Sequence, residues 1–345
     1  MTSRERVFRA LESRTPDRAP RNLWALPWVS MYAQEELQAV LRDFPDDFTG
    51  PGAVLAPSKR RSGTDSRKGR YVDDWGSVWE VAEDGVVGEV KQPPLAVWSA
   101  LCSYQPPWEM IEQADWDQVN RAQEANLQGD AKFMLCGTTI RPFERMQFLR
   151  GSENLFVDLG YGTRDVYYLR DLIHDYALKE LAGWVKTDCD GLSFMDDWGA
   201  QSALLISPTQ WRAFYKPLYK DYCDLIRGAG KKVFFHSDGH IWDIYEDLIE
   251  IGVDAVNSQL FCMDLEEIGH RFKGQITFWG EIDRQNILPF GTPADCREAV
   301  RRVRRALDDG IGGVIAECEW GVRTPAENVR AVFEEWGERR ETSGK

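Results

Sequence analysis

No two cysteines in this sequence stand at the C-x-x-C spacing; the seven, at 102, 136, 189, 223, 262, 296 and 318, are odd in number and scattered. That argues against a zinc ribbon and a disulfide framework, so a reducing cytoplasm is the expected setting. No G-x-G-x-x-G or Walker loop follows an apolar run, which removes the common dinucleotide and nucleoside-triphosphate folds. Long hydrophobic runs are missing too. No window approaches the ~20 residues of a membrane span, and Met1-Thr2-Ser3-Arg4-Glu5-Arg6 enters an amphipathic pattern without the apolar core of a signal peptide. Positive charge is in deficit, with 42 Lys+Arg against 56 Asp+Glu and a formal charge of -14. Such a balance repels phosphate backbones and anionic membranes. The arginines between Arg297 and Arg305 alternate with Asp295, Glu298, Asp308 and Asp309 and read as a solvated helix face. Neither nucleic acid nor membrane is an expected partner.

What is present is enough apolar material for a large core: 43% hydrophobic residues, with 14 Trp and 16 Phe in 345 residues. The length suits one (β/α)8 barrel carrying insertions. Thr2 with Glu5 reads as a capping box opening a short helix, and Asn22-Leu23-Trp24-Ala25-Leu26-Pro27 as a first strand. The stretch from Pro45 to Lys68 has no period and reads as an excursion. It ends in a predicted hairpin, Val78–Glu83 and Val86–Val90 around a type I′ Asp84-Gly85 turn. Segment 45–95 is thus an insertion, a lid or a subunit contact, in a single domain spanning 1–345, and a homodimer is left open.

From about residue 130, short apolar runs alternate with long amphipathic segments, the grammar of βα units. Runs at 132–136, 191–195, 232–235, 253–256, 276–279 and 313–316 are predicted strands. Helices are predicted near 165–186, 208–228, 241–251, 264–272, 294–308 and 326–337. Ser207-Pro208, Thr292-Pro293 and Thr324-Pro325 each place a capping hydroxyl before a first-turn proline. Without a dinucleotide fingerprint, consecutive βα units favour a closed barrel over an open sheet.

Catalytic groups of such a barrel come from the C-terminal ends of its strands. Those positions hold Cys136-Gly137-Thr138-Thr139, Asp196-Asp197-Trp198, His236-Ser237-Asp238-Gly239-His240, Asn257-Ser258-Gln259, Gly280-Glu281-Ile282-Asp283 and Glu317-Cys318-Glu319. His236, Asp238, Glu281 and Cys318 together suggest a catalytic zinc set, three protein ligands with an open position. Either Asp238 or Glu281 completes the set with His236 and Cys318, and a carboxylate left over would orient the imidazole. A competing reading makes Asp196, Asp238 and Glu281 the acid–base groups of a metal-free site. Tyr71, Arg141, Asp197, Asn257 and Trp279 are candidates to bind substrate. Trp24, Trp75, Trp79, Trp198 and Trp279 are candidates for an apolar wall.

Several of these segments resemble the uroporphyrinogen decarboxylase superfamily: Thr2–Val7 with Thr15-Pro16-Asp17-Arg18-Ala19-Pro20, Pro142-Phe143-Glu144-Arg145-Met146, His236-Ser237-Asp238-Gly239, and Thr324-Pro325-Ala326-Glu327-Asn328-Val329. The resemblance implies a (β/α)8 barrel with its cleft at the C-terminal face. Decarboxylases of the superfamily carry an Arg-Gln-Ala-Gly-Arg loop and a Phe-Ser-Asp-Ile-Leu segment. Here Arg21-Asn22-Leu23-Trp24-Ala25 and Asp46-Asp47-Phe48-Thr49-Gly50 stand near those places, and neither motif is kept. The chain is more similar to the corrinoid-dependent methyltransferase branch, whose zinc is held by a His-x-Cys pair and a distant Cys. His236 matches the first ligand, Cys318 the last, and Asp238 replaces the middle cysteine. A harder ligand set suits activation of an ether oxygen. The resemblance therefore implies zinc, a methoxy substrate and a corrinoid (cobalamin) on a partner protein. The alternatives are a lyase acting on a smaller acid and a non-catalytic tetrapyrrole-binding barrel.

Overall fold

The computed structural model describes residues 1–338. Its strands, in chain order, are β1 Arg21–Ala25, β2 Phe48–Thr49, β3 Gly69–Val72, β4 Val78–Val81, β5 Glu89–Gln92, β6 Phe133–Gly137, β7 Gly191–Met195, β8 Lys232–Ser237, β9 Ala255–Ser258, β10 Thr277–Trp279 and β11 Val314–Trp320. Eight form one sheet in the order β1-β11-β10-β9-β8-β7-β6-β2, and every pairing in it is parallel. The barrel closes where Asp47 N donates to Arg21 O at 3.0 Å. Helices surround it, so its strands are buried on both faces, which is why they read as continuous apolar runs. Among the described residues no helix is long and apolar enough to cross a membrane.

Strand alternation divides the apolar residues between two cores. Phe48, Phe133, Phe234, Ala255, Trp279 and Ile315 fill the barrel interior together with Val7. On β11, Val314, Ala316, Cys318 and Trp320 belong instead to the outer core between strands and helices. Helix Ser3–Leu11 plugs the N-terminal end: Phe8 meets Phe133 at 5.1 Å, and Ala10 O accepts from Gly313 N at 2.8 Å. The opposite mouth is left for chemistry.

Differences from the sequence reading have local causes. Phe48–Thr49 is a barrel strand inside the presumed excursion, too short to show a period, so the excursion begins after it. Pro27 opens helix Pro27–Tyr32 rather than ending β1. The Asp84-Gly85 turn is not a tight hairpin: β4 and β5 are joined by residues 82–88, in a three-stranded antiparallel sheet with β3. Asp84 accepts from Lys68 N at 2.7 Å, and Gly85 N donates to Ser66 O at 2.7 Å. A Cβ on Gly85 would fall 2.6 Å from Trp28 Cα, so the glycine serves this close approach. Ser207 and Thr292 cap their helices. Thr324 does not, because Pro325 takes the cap position of Ala326–Gly337 while Thr324 O accepts from Trp320 Nε1 at 2.9 Å.

Candidate functional site

The site begins with two loops pressed backbone to backbone. After β7 and β8, Gly199 N donates to Asp238 O at 3.0 Å and His240 N to Ala200 O at 2.8 Å. A Cβ on Gly199 would lie 2.2 Å from His240 N, and Gly239 holds a φ of +76°. Only glycine fits both positions. The crossing sets Asp197 beside Asp238, whose N donates to Asp197 Oδ1 at 2.9 Å.

His236, the last residue but one of β8, stands in register with Met195 and Asn257. Asn257 Nδ2 donates to Trp279 O at 2.6 Å and faces Glu317 Oε2 at 3.4 Å. A carbonyl only accepts, so the amide nitrogen of Asn257 must point there and its oxygen must face His236 Nδ1, 2.7 Å away. Nδ1 therefore carries the proton of the neutral ring. The Nε2 lone pair is left facing Asp197 Oδ1 and Asp238 Oδ1, each at 3.5 Å. Asp238 Oδ1 is buried with no hydrogen-bond partner. Among the described residues, Asp197, His236 and Asp238 offer ligand atoms within 4.8 Å of one another. Bonds of ~2.1 Å to a tetrahedral zinc place neighbouring ligand atoms ~3.4 Å apart. The three residues fit such an ion, and Asn257 supplies the orienting contact a ligating imidazole needs. Trp24 covers this histidine, its ring 5.3 Å from the imidazole and 5.0 Å from Trp279.

Carboxylates crowd the far side of Asp238. Arg284 Nη1 contacts both oxygens of Glu319 at 2.7 Å, Nη2 pairs with Asp238 Oδ2, and Nε lies 3.8 Å from Glu281 Oε2. Burial pushes the Glu281 carboxyl well above its ordinary range, with Asp238 and Glu319 adding repulsion that Arg284 opposes. Glu317 rises likewise through burial and then through Glu281 and Glu319. In both, burial favours the protonated form over the charged one. Gly280 makes room for Glu317, whose Oε2 would be 2.3 Å from a Cβ there.

At the end of β6 stands a second, less satisfied guanidinium. Arg141 Nη1 reaches Glu144 Oε1 at 3.4 Å, and Nη2 meets the Met195 thioether. Glu144 is pushed up to about 7, chiefly by burial, with Arg141 opposing and Asp197 adding, and its Oε2 is buried without a partner.

Of the residues singled out from sequence, the structure brings His236, Asp238 and Asp197 together, with Asn257 behind the imidazole and Glu281 beyond Arg284. It does not bring Cys318 to them. Cys318 is fully buried in the outer core, with Cys296 of helix Pro293–Leu307 among its electrostatic neighbours. The period of two turns Glu317 and Glu319 inward and Cys318 outward. Asp196 is fully buried and accepts from Phe143 N and Glu144 N at 2.8 Å and from Tyr219 Oη. It caps helix Pro142–Arg150 from just past the end of the adjacent strand β7, with both oxygens engaged. Asn257 and Trp279 are buried supports, Trp279 lying in the barrel floor with its Nε1 on Asn22 Oδ1 at 2.9 Å. Tyr71 sits on the insertion sheet, stacked on Trp79 at 5.8 Å, its phenol pushed up to about 12 mainly by burial. Trp24 and Trp279 line the interior. Trp198 stacks on Phe143 at 4.1 Å, Trp75 packs on Tyr176 at 4.7 Å and Trp79 on Phe148 at 4.7 Å, all away from His236. Glu144 and Arg284 were not foreseen as site residues. Glu144 lies three positions past Arg141, on the first helical turn, and that i,i+3 spacing was the available signal.

A family model described as uroporphyrinogen decarboxylase (URO-D) matches residues 117–338, well over half of the chain. The chain belongs to the uroporphyrinogen decarboxylase family. Among solved structures, a methyltransferase from Methanosarcina mazei superposes on this family member with a TM-score of 0.72 at 14% identity, covering 98% of both chains. That likeness establishes the shared barrel. A B12-independent methionine synthase from Shewanella sp. W3-18-1 matches at a TM-score of 0.44 and 12% identity, over 94% of this chain and 93% of that one. An endo-beta-1,4-xylanase from Gloeophyllum trabeum matches at 0.45 and 10%, over 95% and 99%. No curated protein sequence matches the chain.

Proposed function

We propose that this protein is a zinc-dependent methyltransferase that moves a methyl group from a methoxy substrate to a corrinoid protein. The observation that carries the reading is the donor trio: the lone pair of His236 Nε2 faces Asp197 Oδ1 and the unpartnered Asp238 Oδ1, at distances matching the edge of a zinc tetrahedron. The barrel shared with a methyltransferase supports the transfer chemistry, and family membership supports a cleft at the C-terminal face.

Bound zinc supplies Lewis-acid polarisation of the methoxy oxygen, and the corrinoid supplies the acceptor for the methyl group. The chain's own residues do the rest. Asn257 fixes the His236 tautomer. Trp24 shields the imidazole from water. Arg141, only loosely paired, orients the substrate. Glu144 holds a proton near neutrality and gives it from its carboxyl to the departing oxygen, so that an alcohol or phenol leaves uncharged.

The test is elemental analysis of protein purified without chelator, beside His236→Ala and Asp238→Ala. Methoxy compounds are then screened with reduced corrinoid protein, reading its absorption change. About one zinc per chain, lost in both variants, together with methyl transfer, supports the reading; wild-type protein without metal overturns it.

A second reading rests on Glu281 and Glu317, two carboxyls at the same mouth that burial pushes upward. Such groups suit a carboxy-lyase that protonates a carbanion after loss of carbon dioxide. Carbon dioxide release that persists in chelator would select it over methyl transfer.

A further inference from the structure

Arg284 is surrounded by three carboxylates, yet it leaves one oxygen conspicuously free. Its guanidinium engages Glu319 twice and takes Asp238 Oδ2, while Asp238 Oδ1 stays buried, without a partner, 3.5 Å from His236 Nε2. Arginine's donors are fixed in one planar fork. Holding Glu319 and Asp238 at once therefore fixes the rotation of the Asp238 carboxylate. One oxygen is committed to the guanidinium and the other is aimed at the trio.

We infer that Arg284 is a positioning residue that keeps Asp238 a one-oxygen ligand and thereby selects a four-coordinate ion such as zinc over six-coordinate, oxygen-seeking divalent ions. The inference rests on the metal reading above. One nitrogen and two oxygens with an open position suffice for zinc. Manganese or magnesium asks for about six donors, mostly oxygen, and Arg284 occupies those within reach: Asp238 Oδ2 and the carboxylates of Glu319 and Glu281. Without the guanidinium those oxygens are released toward the site. Loss of its positive charge also favours every divalent cation, so the informative quantity is the ratio of affinities.

The experiment measures Zn²⁺ and Mn²⁺ binding separately, by equilibrium dialysis with elemental analysis and by manganese paramagnetic resonance, on wild type, Arg284→Gln and Arg284→Lys. The expected result is a Zn²⁺/Mn²⁺ affinity ratio about tenfold lower in Arg284→Gln, the scale of contacts that orient a ligand. Lysine, a point charge unable to hold both carboxylates, should fall between. Should Arg284→Gln fail to fold by circular dichroism, Glu319→Gln removes half of the clamp and should lower the ratio in the same direction. An unchanged ratio in a folded variant of a zinc-binding protein overturns this inference alone. A wild type that binds neither ion overturns it together with the metal reading.

Discussion

Asn257 decides which nitrogen of His236 is available. With its amide nitrogen held by Trp279 O at 2.6 Å, the amide oxygen can only accept from His236 Nδ1, and the reactive lone pair is left on Nε2. Asn257→Leu removes that acceptor and strands a buried N–H. The expected outcome is a ten- to hundredfold loss of zinc affinity and a stability cost of about 1–3 kcal/mol, read by metal titration and by urea unfolding. Unaltered zinc affinity in this variant would show that the tautomer is fixed elsewhere.

The glycine pair that crosses the β7 and β8 loops has a sharper consequence. Alanine at Gly199 meets His240 N at 2.2 Å, a clash with backbone that no side-chain rotation relieves. We expect Gly199→Ala to cost about 3 kcal/mol or more, and any folded fraction to have lost metal, because Asp197 and Asp238 separate. Gly228→Ala, where a Cβ meets nothing within 4 Å, is the control and should leave both measurements near wild type.

Cys318 offers a direct contrast between strand faces. Facing the outer core beside Cys296, it should be dispensable for metal: Cys318→Ala is expected to keep the zinc stoichiometry of wild type while losing about 1–2 kcal/mol of stability through the small void it leaves. Loss of zinc in this variant would return the thiolate to the ligand set.

That contrast also shows what the sequence could and could not reveal. The βα alternation after residue 130 was legible because short apolar runs alternate with long amphipathic segments, and His236 and Asp238 stood out because they close one such run with chemically capable side chains. Which side of β11 faces the lumen was not legible. A strand buried on both faces gives no polar–apolar alternation, so Glu317, Cys318 and Glu319 look equivalent until Ile315 is seen inside the barrel. Phe48–Thr49 is too short to carry a period at all. The role of Asp197 depends on a backbone contact between Gly199 and Gly239, forty positions apart, with no local signature. Arg284 lies in an irregular loop where no periodicity assigns a direction.

Glu144 gives the site its pH dependence. A glutamate ordinarily titrates near 4.5, and burial raises this one to about 7. Between those values the folded protein holds a proton that the unfolded chain has released, so folding stability falls as pH rises through that window and levels off above it. Glu144→Gln cannot titrate and should flatten that part of the stability curve, measured by urea unfolding at pH steps from 4 to 8. Activity should follow the same proton. If the neutral carboxyl of Glu144 supplies the departing oxygen, the wild-type rate declines as pH passes about 7, and the glutamine variant is slower by roughly 10²-fold or more with that limb missing. A variant that keeps the declining limb would assign the proton to another group, with Glu281 and Glu317 the next acids to replace.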